Sequence, residues 1–300
     1  MSSSSPFLGL LVPAYDSPST LSRLLHSCFE QTFQDFHIYI SDDSSNDSVF
    51  SVVNGFPNNR ITYWRNSSRL GVPANWNLLL KSSDATYIKL MHHDEYFSSI
   101  HSLQTLYSSL LATGASILVS NHQIVDQFGH VICPSVLDGK AFLNYITHPL
   151  DLFFNNRIGS PSNITLLNTL SIAFRYSDIR WFVDVLYYNQ LLQTCEAYFL
   201  PVPIVCSLAN SPQQVSRHFD RAYYSQYLEL ISALSVLRPK TFFTMYQFSM
   251  FLKNFLLRDG RVLSDAHLVY PHINLAQRTI VSLLRRLYFL FRLQSLVRRC

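Results

Sequence analysis

Two short apolar runs in this chain end abruptly in acid, and that pairing restricts the fold more than any other feature. Phe36 to Ile40 (F-H-I-Y-I) runs into S-D-D-S-S-N-D, Ser41 to Asp47. Tyr87 to Met91 (Y-I-K-L-M) runs into His92-His93-Asp94-Glu95. Runs of this length and kind suit buried strands. In open α/β sheets, ligands sit just beyond the carboxyl ends of strands. If the two strands are parallel, both acidic clusters stand on one rim. Such a rim usually meets a divalent cation, or hydrogen-bond donors on a ligand. In isolation, His92 to Glu95 would be read as a polar turn after a core strand; its context decides.

The rest of the chain supplies the alternation that a parallel sheet needs. Phe7 to Val12 reads as a buried strand, followed by a loop, Pro13-Ala14-Tyr15-Asp16. Ser17 is a good N-cap with Pro18 at the first helical position. Leu21, Leu24, Leu25 and Cys28 then share one helical face. Ile61 to Trp64 is a third strand, and Gly71-Val72-Pro73 opens a helix that runs to Leu80. Ser98 to Leu111 is helical, Ser116 to Ser120 is another buried strand, and Gln127-Phe128-Gly129 turns the chain back into a short one. Strands alternating with helices of this length predict βαβ units and a mostly parallel sheet. The sheet lacks both G-x-G-x-x-G and G-x-x-x-x-G-K-[ST], so neither a dinucleotide site nor a P-loop triphosphate site is supported.

Composition narrows the class. Of 300 residues, 48% are apolar and 14% charged, and the formal net charge is +4. Such a chain folds and can bury a large core. The charge is too mild to argue for nucleic acid, and no nucleic-acid-binding motif is present. Five cysteines (Cys28, Cys133, Cys195, Cys206, Cys300) are widely spaced and lack C-x-x-C, so neither a zinc site nor a disulfide framework is expected. The opening M-S-S-S-S-P has no basic region and no usable apolar segment, so no signal peptide is expected. No charge-free apolar run reaches bilayer-spanning length. The cytoplasm is the default compartment, and there the sequons at Asn66 and Asn163 are chance matches.

Taken in order, these segments resemble the motifs of a family 2 glycosyltransferase of the GT-A fold. That family opens with a strand and V-P-x-Y-N, then a helix and S-x-x-x-Q-T; here they are Val12-Pro13-Ala14-Tyr15-Asp16 and Ser27 to Gln31-Thr32. Its D-D-x-S-x-D is Asp42-Asp43-Ser44-Ser45-Asn46-Asp47, with Ser44 where Gly is common. Its N-x-G-x-x-x-N appears as R-L-G-V-P-A-N, with Gly71 and Asn75. Its metal motif, often D-x-D-D or H-x-D-D, is His92-His93-Asp94-Glu95. Ile158-Gly159-Ser160-Pro161-Ser162-Asn163 resembles the G-x-P-S loop. Trp181 to Tyr187 (W-F-V-D-V-L-Y) resembles the segment carrying the catalytic base, and Gln214-Val215-Ser216 the closing Q-V-S. The likeness implies an α/β GT-A domain over residues 1–219, Rossmann-like, with a mostly parallel central sheet flanked by helices. Residues 220–300 follow as a helical C-terminal region.

The resemblance implies transfer of a sugar from a nucleotide diphosphate to an acceptor hydroxyl, with inversion. Negative charge grows on the leaving diphosphate, and a hard divalent cation held by carboxylates stabilises it. Asp94 is the first candidate ligand, with Glu95 and His92 beside it. An imidazole among the ligands tilts the choice between Mn²⁺ and Mg²⁺ towards manganese. Pro13, Ala14 and Tyr15 are expected against the base and ribose, and Asn75 and His93 near the donor. Asp42 or Asp43 would accept from a pyrimidine imide N–H, which favours uridine or thymidine donors; the other would cap the next helix. His93 reads equally as half of a hydrogen-bonded pair lining the rim. Asp184 is expected as the general base, in an apolar setting that raises a carboxylate's pKa. Asp178 is the second choice. Ser160, Ser162, Asn163 and Trp181 are expected to face the sugars, although Trp181 reads as well as a core residue.

In the last stretch Arg278, Arg285, Arg292 and Arg299 recur every seven residues, opposite Ile280, Leu283, Leu284, Leu287, Leu290 and Phe291. A basic amphipathic helix over 275–300 can lie on an anionic membrane surface, or pack on the domain with its basic face solvated. The first option fits a lipid-linked or cell-surface acceptor and a peripheral position at the inner face of the cell membrane. Two other readings compete. A nucleotidyltransferase would need a Gly-rich, basic loop that the opening lacks. A degenerate family member that binds nucleotide sugars or partners without turnover is kept open by the altered H-H-D-E.

Overall fold

A computed structural model describes residues 5–153, 156–170, 174 and 182–209. The expected helical region 220–300, its basic tail, the Q-V-S segment, Asp178 and Trp181 lie outside them.

The first strand, β1 (Leu8–Ala14), is buried at every position. It runs two residues further than the apolar pattern indicated, so Pro13 and Ala14 belong to the strand and not to a loop. Pro13 is tolerated because its missing N–H faces the side where the neighbouring strand has already ended, at the Leu11–Leu90 pair. Helix α1 (Pro18–Phe29) starts at Ser17 and buries Leu21, Leu24, Leu25 and Cys28, the predicted face. Strand β2 (Phe36–Asp42), helix α2 (Ser48–Val53), strand β3 (Ile61–Arg65), helix α3 (Val72–Ser82) and strand β4 (Tyr87–Leu90) complete the first half. Gly71 stands at the N-cap of α3 with φ 79°, a conformation open to glycine at no steric cost. The pairings β1–β2, β1–β4 and β2–β3 are all parallel. Both acid-bearing turns therefore leave the same end of the sheet.

The second half contains β5 (Glu95–Phe97), α4 (Ser102–Thr113), β6 (Ile117–Val125), β7 (Val131–Cys133), α5 (Gly139–Thr147), β8 (Ile164–Leu167), α6 (Val183–Thr194) and β9 (Ala197–Leu208). Sheet order is β3-β2-β1-β4-β8-β6-β9-β5, with β7 paired to β6. Strand β8 is antiparallel to both β4 and β6, while the long β6–β9 pairing is parallel. Strand β9 holds Pro201 and Pro203 where the register with β6 shifts, as prolines in strands require.

Residues 91–94 join β4 to β5, yet three strands stand between those two in the sheet. Four inter-strand steps would place them about 19 Å apart in a flat sheet. The chain from Leu90 to Glu95 can reach at most about 18 Å. The sheet is therefore curled. The core clusters leucines, isoleucines and valines of β1 and β2 with α1, α4 and the end of β9. Among the described residues, no helix is long and apolar enough to cross a membrane.

Candidate active site

The rim begins with the two acids that end β2. Asp42 is fully buried, and its two oxygens accept from the Ser44 N–H (2.8 Å) and the Tyr63 hydroxyl (2.8 Å). Burial, reinforced by the bond to Asp42, pushes the Tyr63 phenol up to about 12. Asp43 accepts from the Asn66 side chain (2.7 Å) and from the backbone N–H groups of Leu70 (3.2 Å) and Gly71 (3.0 Å). It thus holds the loop that leads into α3. Helix α2, the next in sequence, starts at Asp47 without a side-chain cap, so neither Asp42 nor Asp43 caps it. Asn75, buried on α3, donates to Ser41 O at 3.2 Å, and its side-chain oxygen has no partner. Asn66 and Asn163 both spend their amide groups inside the fold, so neither sequon presents a free side chain.

The front loop lies beside this acid turn. Asp16 has φ 43°, the left-handed region that Asn and Asp tolerate among non-glycine residues. Its N–H donates to Ser44 Oγ (2.8 Å) and its carboxylate accepts from Asn46 (3.1 Å). Ser44, where glycine was expected, thus ties the two loops together. Tyr15 is exposed, and the Arg69 guanidinium stacks 4.0 Å from its ring centroid.

The H-H-D-E turn is divided by geometry. The His92 N–H donates to Ser162 Oγ (3.0 Å), its ring lies 5.2 Å from Trp76, and its Nε2 is buried without a partner. His93 Nδ1 donates to Pro13 O (3.2 Å); burial lowers its pKa, and its Nε2 is likewise unpartnered. Asp94 is half-buried and accepts no side-chain hydrogen bond among the described residues. Glu95 departs from expectation. It is the first residue of β5, where strand alternation turns it inward, away from Asp94. It is buried and accepts from Ser160 Oγ (2.7 and 3.0 Å) and Ser207 Oγ (2.8 Å). Among the described residues no three His, Cys, Asp or Glu side chains converge on one point. The expected trio of His92, Asp94 and Glu95 is thus not brought together. The residues fit a cation held by one carboxylate plus phosphate oxygens and water, the habit of Mg²⁺-like ions at nucleotide sites. They do not fit a cage assembled from three side chains.

The Gly159–Asn163 stretch lies beneath the rim. Ser162 and Asn163 are fully buried. The Ser162 carbonyl accepts from the ammonium of Lys89, and Asn163 donates to Ile158 O at 2.7 Å. Ser160, Ser162 and Asn163, expected to face the sugars, are instead occupied with holding this turn. Asp184 sits half-buried in the first turn of α6. Its neighbours Val183, Val185 and Leu186 are buried, as are Tyr187 and Tyr188, which share its helix face one turn on. Its oxygens accept from Asn156 Nδ2 (3.1 Å) and the Val185 N–H (2.8 Å).

Sequence reasoning passed over Lys89, His122, Asn156, Tyr188 and Ser207. Only Lys89 carried a signal, as a lone charge inside Y-I-K-L-M. It is fully buried, and burial lowers its pKa to about 7 against the opposing pull of Glu95.

A strand-end rim with an uncommitted acid is a shape shared by many α/β proteins. The profile described as "Glycosyl transferase family 2" matches residues 10–163, which is just over half of the chain. The chain belongs to glycosyl transferase family 2. Two Escherichia coli members of similar sequence are the UDP-Glc:alpha-D-GlcNAc-diphosphoundecaprenol beta-1,3-glucosyltransferases WfaP and WfgD. They are 27% identical over 104 residues and 24% identical over 177 residues. Those matches cover 33% and 57% of this chain, and 41% and 66% of the relatives' own lengths. Among solved structures, S. aureus TarS 1-349 in complex with UDP-GlcNAc superposes with a TM-score of 0.59 at 15% identity, over 91% of this chain and 78% of that one. The Pyrobaculum calidifontis mannosyltransferase PcManGT, in complex with GDP-Man and Mn²⁺, gives 0.56 at 13% identity, over 94% and 86%. These likenesses establish the GT-A fold of this family 2 chain.

Proposed function

We propose that this family 2 chain transfers a sugar, with inversion, from a uridine or thymidine diphosphate sugar to an acceptor hydroxyl in glycan or glycolipid synthesis. The observation that carries the reading is Asp94. Every other acid of the two turns, Asp42, Asp43, Asp47 and Glu95, is engaged by a hydrogen bond or ion pair within the fold. Asp94 alone of these is uncommitted, at the end of the parallel strands where ligands bind. A divalent cation bound there with the donor's phosphate oxygens would offset the charge that grows on the departing diphosphate. On this reading the nucleoside lies against the end of β1, where Pro13 and Ala14 are buried and Tyr15 is exposed with Arg69 stacked on its ring. The unpartnered Nε2 of His93 and Oδ1 of Asn75 await partners near the donor.

Asp184 takes the proton from the acceptor oxygen as that oxygen bonds to the anomeric carbon and the bond from that carbon to phosphate breaks. The two Escherichia coli relatives, by their names, act on a diphosphoundecaprenol-linked sugar. A lipid-linked acceptor is therefore our preferred class. It would place the chain at a membrane surface, to which the basic sequence of 275–300 is suited. Glu95's withdrawal from the rim keeps a second reading in play, a member that binds nucleotide sugars without turnover.

Calorimetry with UDP, GDP, dTDP and CDP, each with and without Mn²⁺, on wild type and Asp94→Ala, tests the donor site. Manganese-dependent binding of UDP or dTDP that disappears in Asp94→Ala is expected. Absence of binding to all four under both conditions sinks the donor site. Binding without release of UDP from UDP-glucose, with any acceptor, favours the second reading.

A further inference from the structure

We infer that Asn156 is a positioning residue for Asp184, linking the proposed base to the turn that carries Asp94; the inference rests on the role given to Asp184 above. The orientation of the Asn156 amide is fixed by its partners. The Gly159 N–H donates to Asn156 Oδ1 (3.1 Å), which forces the NH₂ group the other way. One N–H then goes to Gly159 O (3.0 Å) and the other to Asp184 Oδ2 (3.1 Å), across 28 residues of sequence. An amide that only shaped the loop would need the two bonds to Gly159 and no third to an acid on another helix.

The anchor is rigid. Gly159 has φ +81°, and a Cβ there would lie 2.7 Å from His122 Cε1. Tyr188, one turn after Asp184 on α6, donates its hydroxyl to the same Gly159 O at 2.9 Å. The loop is thus fastened to α6 at two levels. Its continuation carries Ser160, bonded to Glu95, and Ser162, which accepts from the His92 N–H. An unbroken series of hydrogen bonds and short chain segments connects Asp184 to the residues flanking Asp94. In this arrangement the spacing of base and donor carboxylate is set by the 156–163 segment.

The test uses the full chain, ¹³C- and ¹⁵N-labelled, with Asp184→Asn assigning the Asp184 carboxyl resonance. In Asn156→Ala, loss of a hydrogen bond to the charged form should raise the Asp184 titration midpoint by about one unit, a tenfold gain in proton affinity. Tyr188, the titratable group facing Asp184 from the same helix, is unchanged in that comparison. In wild type, the Asn156 side-chain N–H signals should shift with the same midpoint as Asp184. An unmoved midpoint in the variant, or Asn156 signals blind to Asp184 in wild type, overturns the inference; the second readout stands even if the variant fails to fold. With UDP-glucose as probe, Asn156→Ala should lower kcat about tenfold with KM kept within about twofold. If Asp184→Asn turns over like wild type, the base assignment fails, while the resonance measurements still decide on Asn156.

Discussion

Lys89 shows how one residue can couple burial to pH. Its ammonium is fully enclosed beneath the rim and donates to Ser162 O. Its folded pKa, about 7, lies below the 10.5 of an exposed lysine, because burial disfavours the charged form. Between these values the unfolded chain binds the proton and the folded chain does not, so on this account stability rises with pH from 7 to 10.5 and is flat below 7. Lys89→Met removes that slope. The stability of Lys89→Met relative to wild type should fall by on the order of 4 kcal/mol as pH rises from 7 to 10.5, read by urea unfolding at each pH. Gly159 makes a second residue-scale prediction. Its positive φ and the 2.7 Å approach to His122 leave no room for a methyl group. Gly159→Ala should cost about 2–3 kcal/mol in urea unfolding, and His122→Ala should restore part of it by opening the space.

At the scale of elements, hydrogen-bonded side chains fix how strands hand over to loops. Asp43 holds the entry to α3 through three donors, two of them backbone. Asp43→Asn would set an NH₂ group against those donors and should destabilise the chain by about 1–3 kcal/mol. Amide exchange at Leu70 and Gly71 should quicken at the same time. Strands β1 to β4 and helices α1 and α3 were legible in the sequence because apolar periodicity and punctuation agree there. Strand β5 was not, since three residues carry no period, and Glu95 was assigned to the rim because the return to strand begins at that very residue. Strand β9 was hidden by Pro201 and Pro203, which mark breaks elsewhere and here sit at register shifts. Strand β8 was passed over because its four residues follow directly on the 158–163 stretch, which reads as a loop. The donor half of the candidate site was readable as strand ends. The surroundings of Asp184 were not, because Asn156, which bonds it, comes from a loop 28 residues away that no local period announces.

At the scale of the whole molecule, the free thiols report how closed the domain is. Cys28 and Cys206 are buried, and burial raises both thiol pKa values, while Cys133 and Cys195 are half-buried. A thiol-reactive aromatic disulfide should modify Cys133 and Cys195 in native protein at least tenfold faster than Cys28 and Cys206. Peptide mapping after a short pulse would reveal the order, and early labelling of Cys28 would contradict the packing of α1. The curl of the sheet has a mechanical consequence. Residues 91–94 behave as a bowstring across an arc of five strands, and Asp94 is tied into the string. Flattening the arc would stretch that segment and carry the Asp94 backbone with it. In this domain one short segment both spans the curved sheet and sets where its uncommitted acid stands.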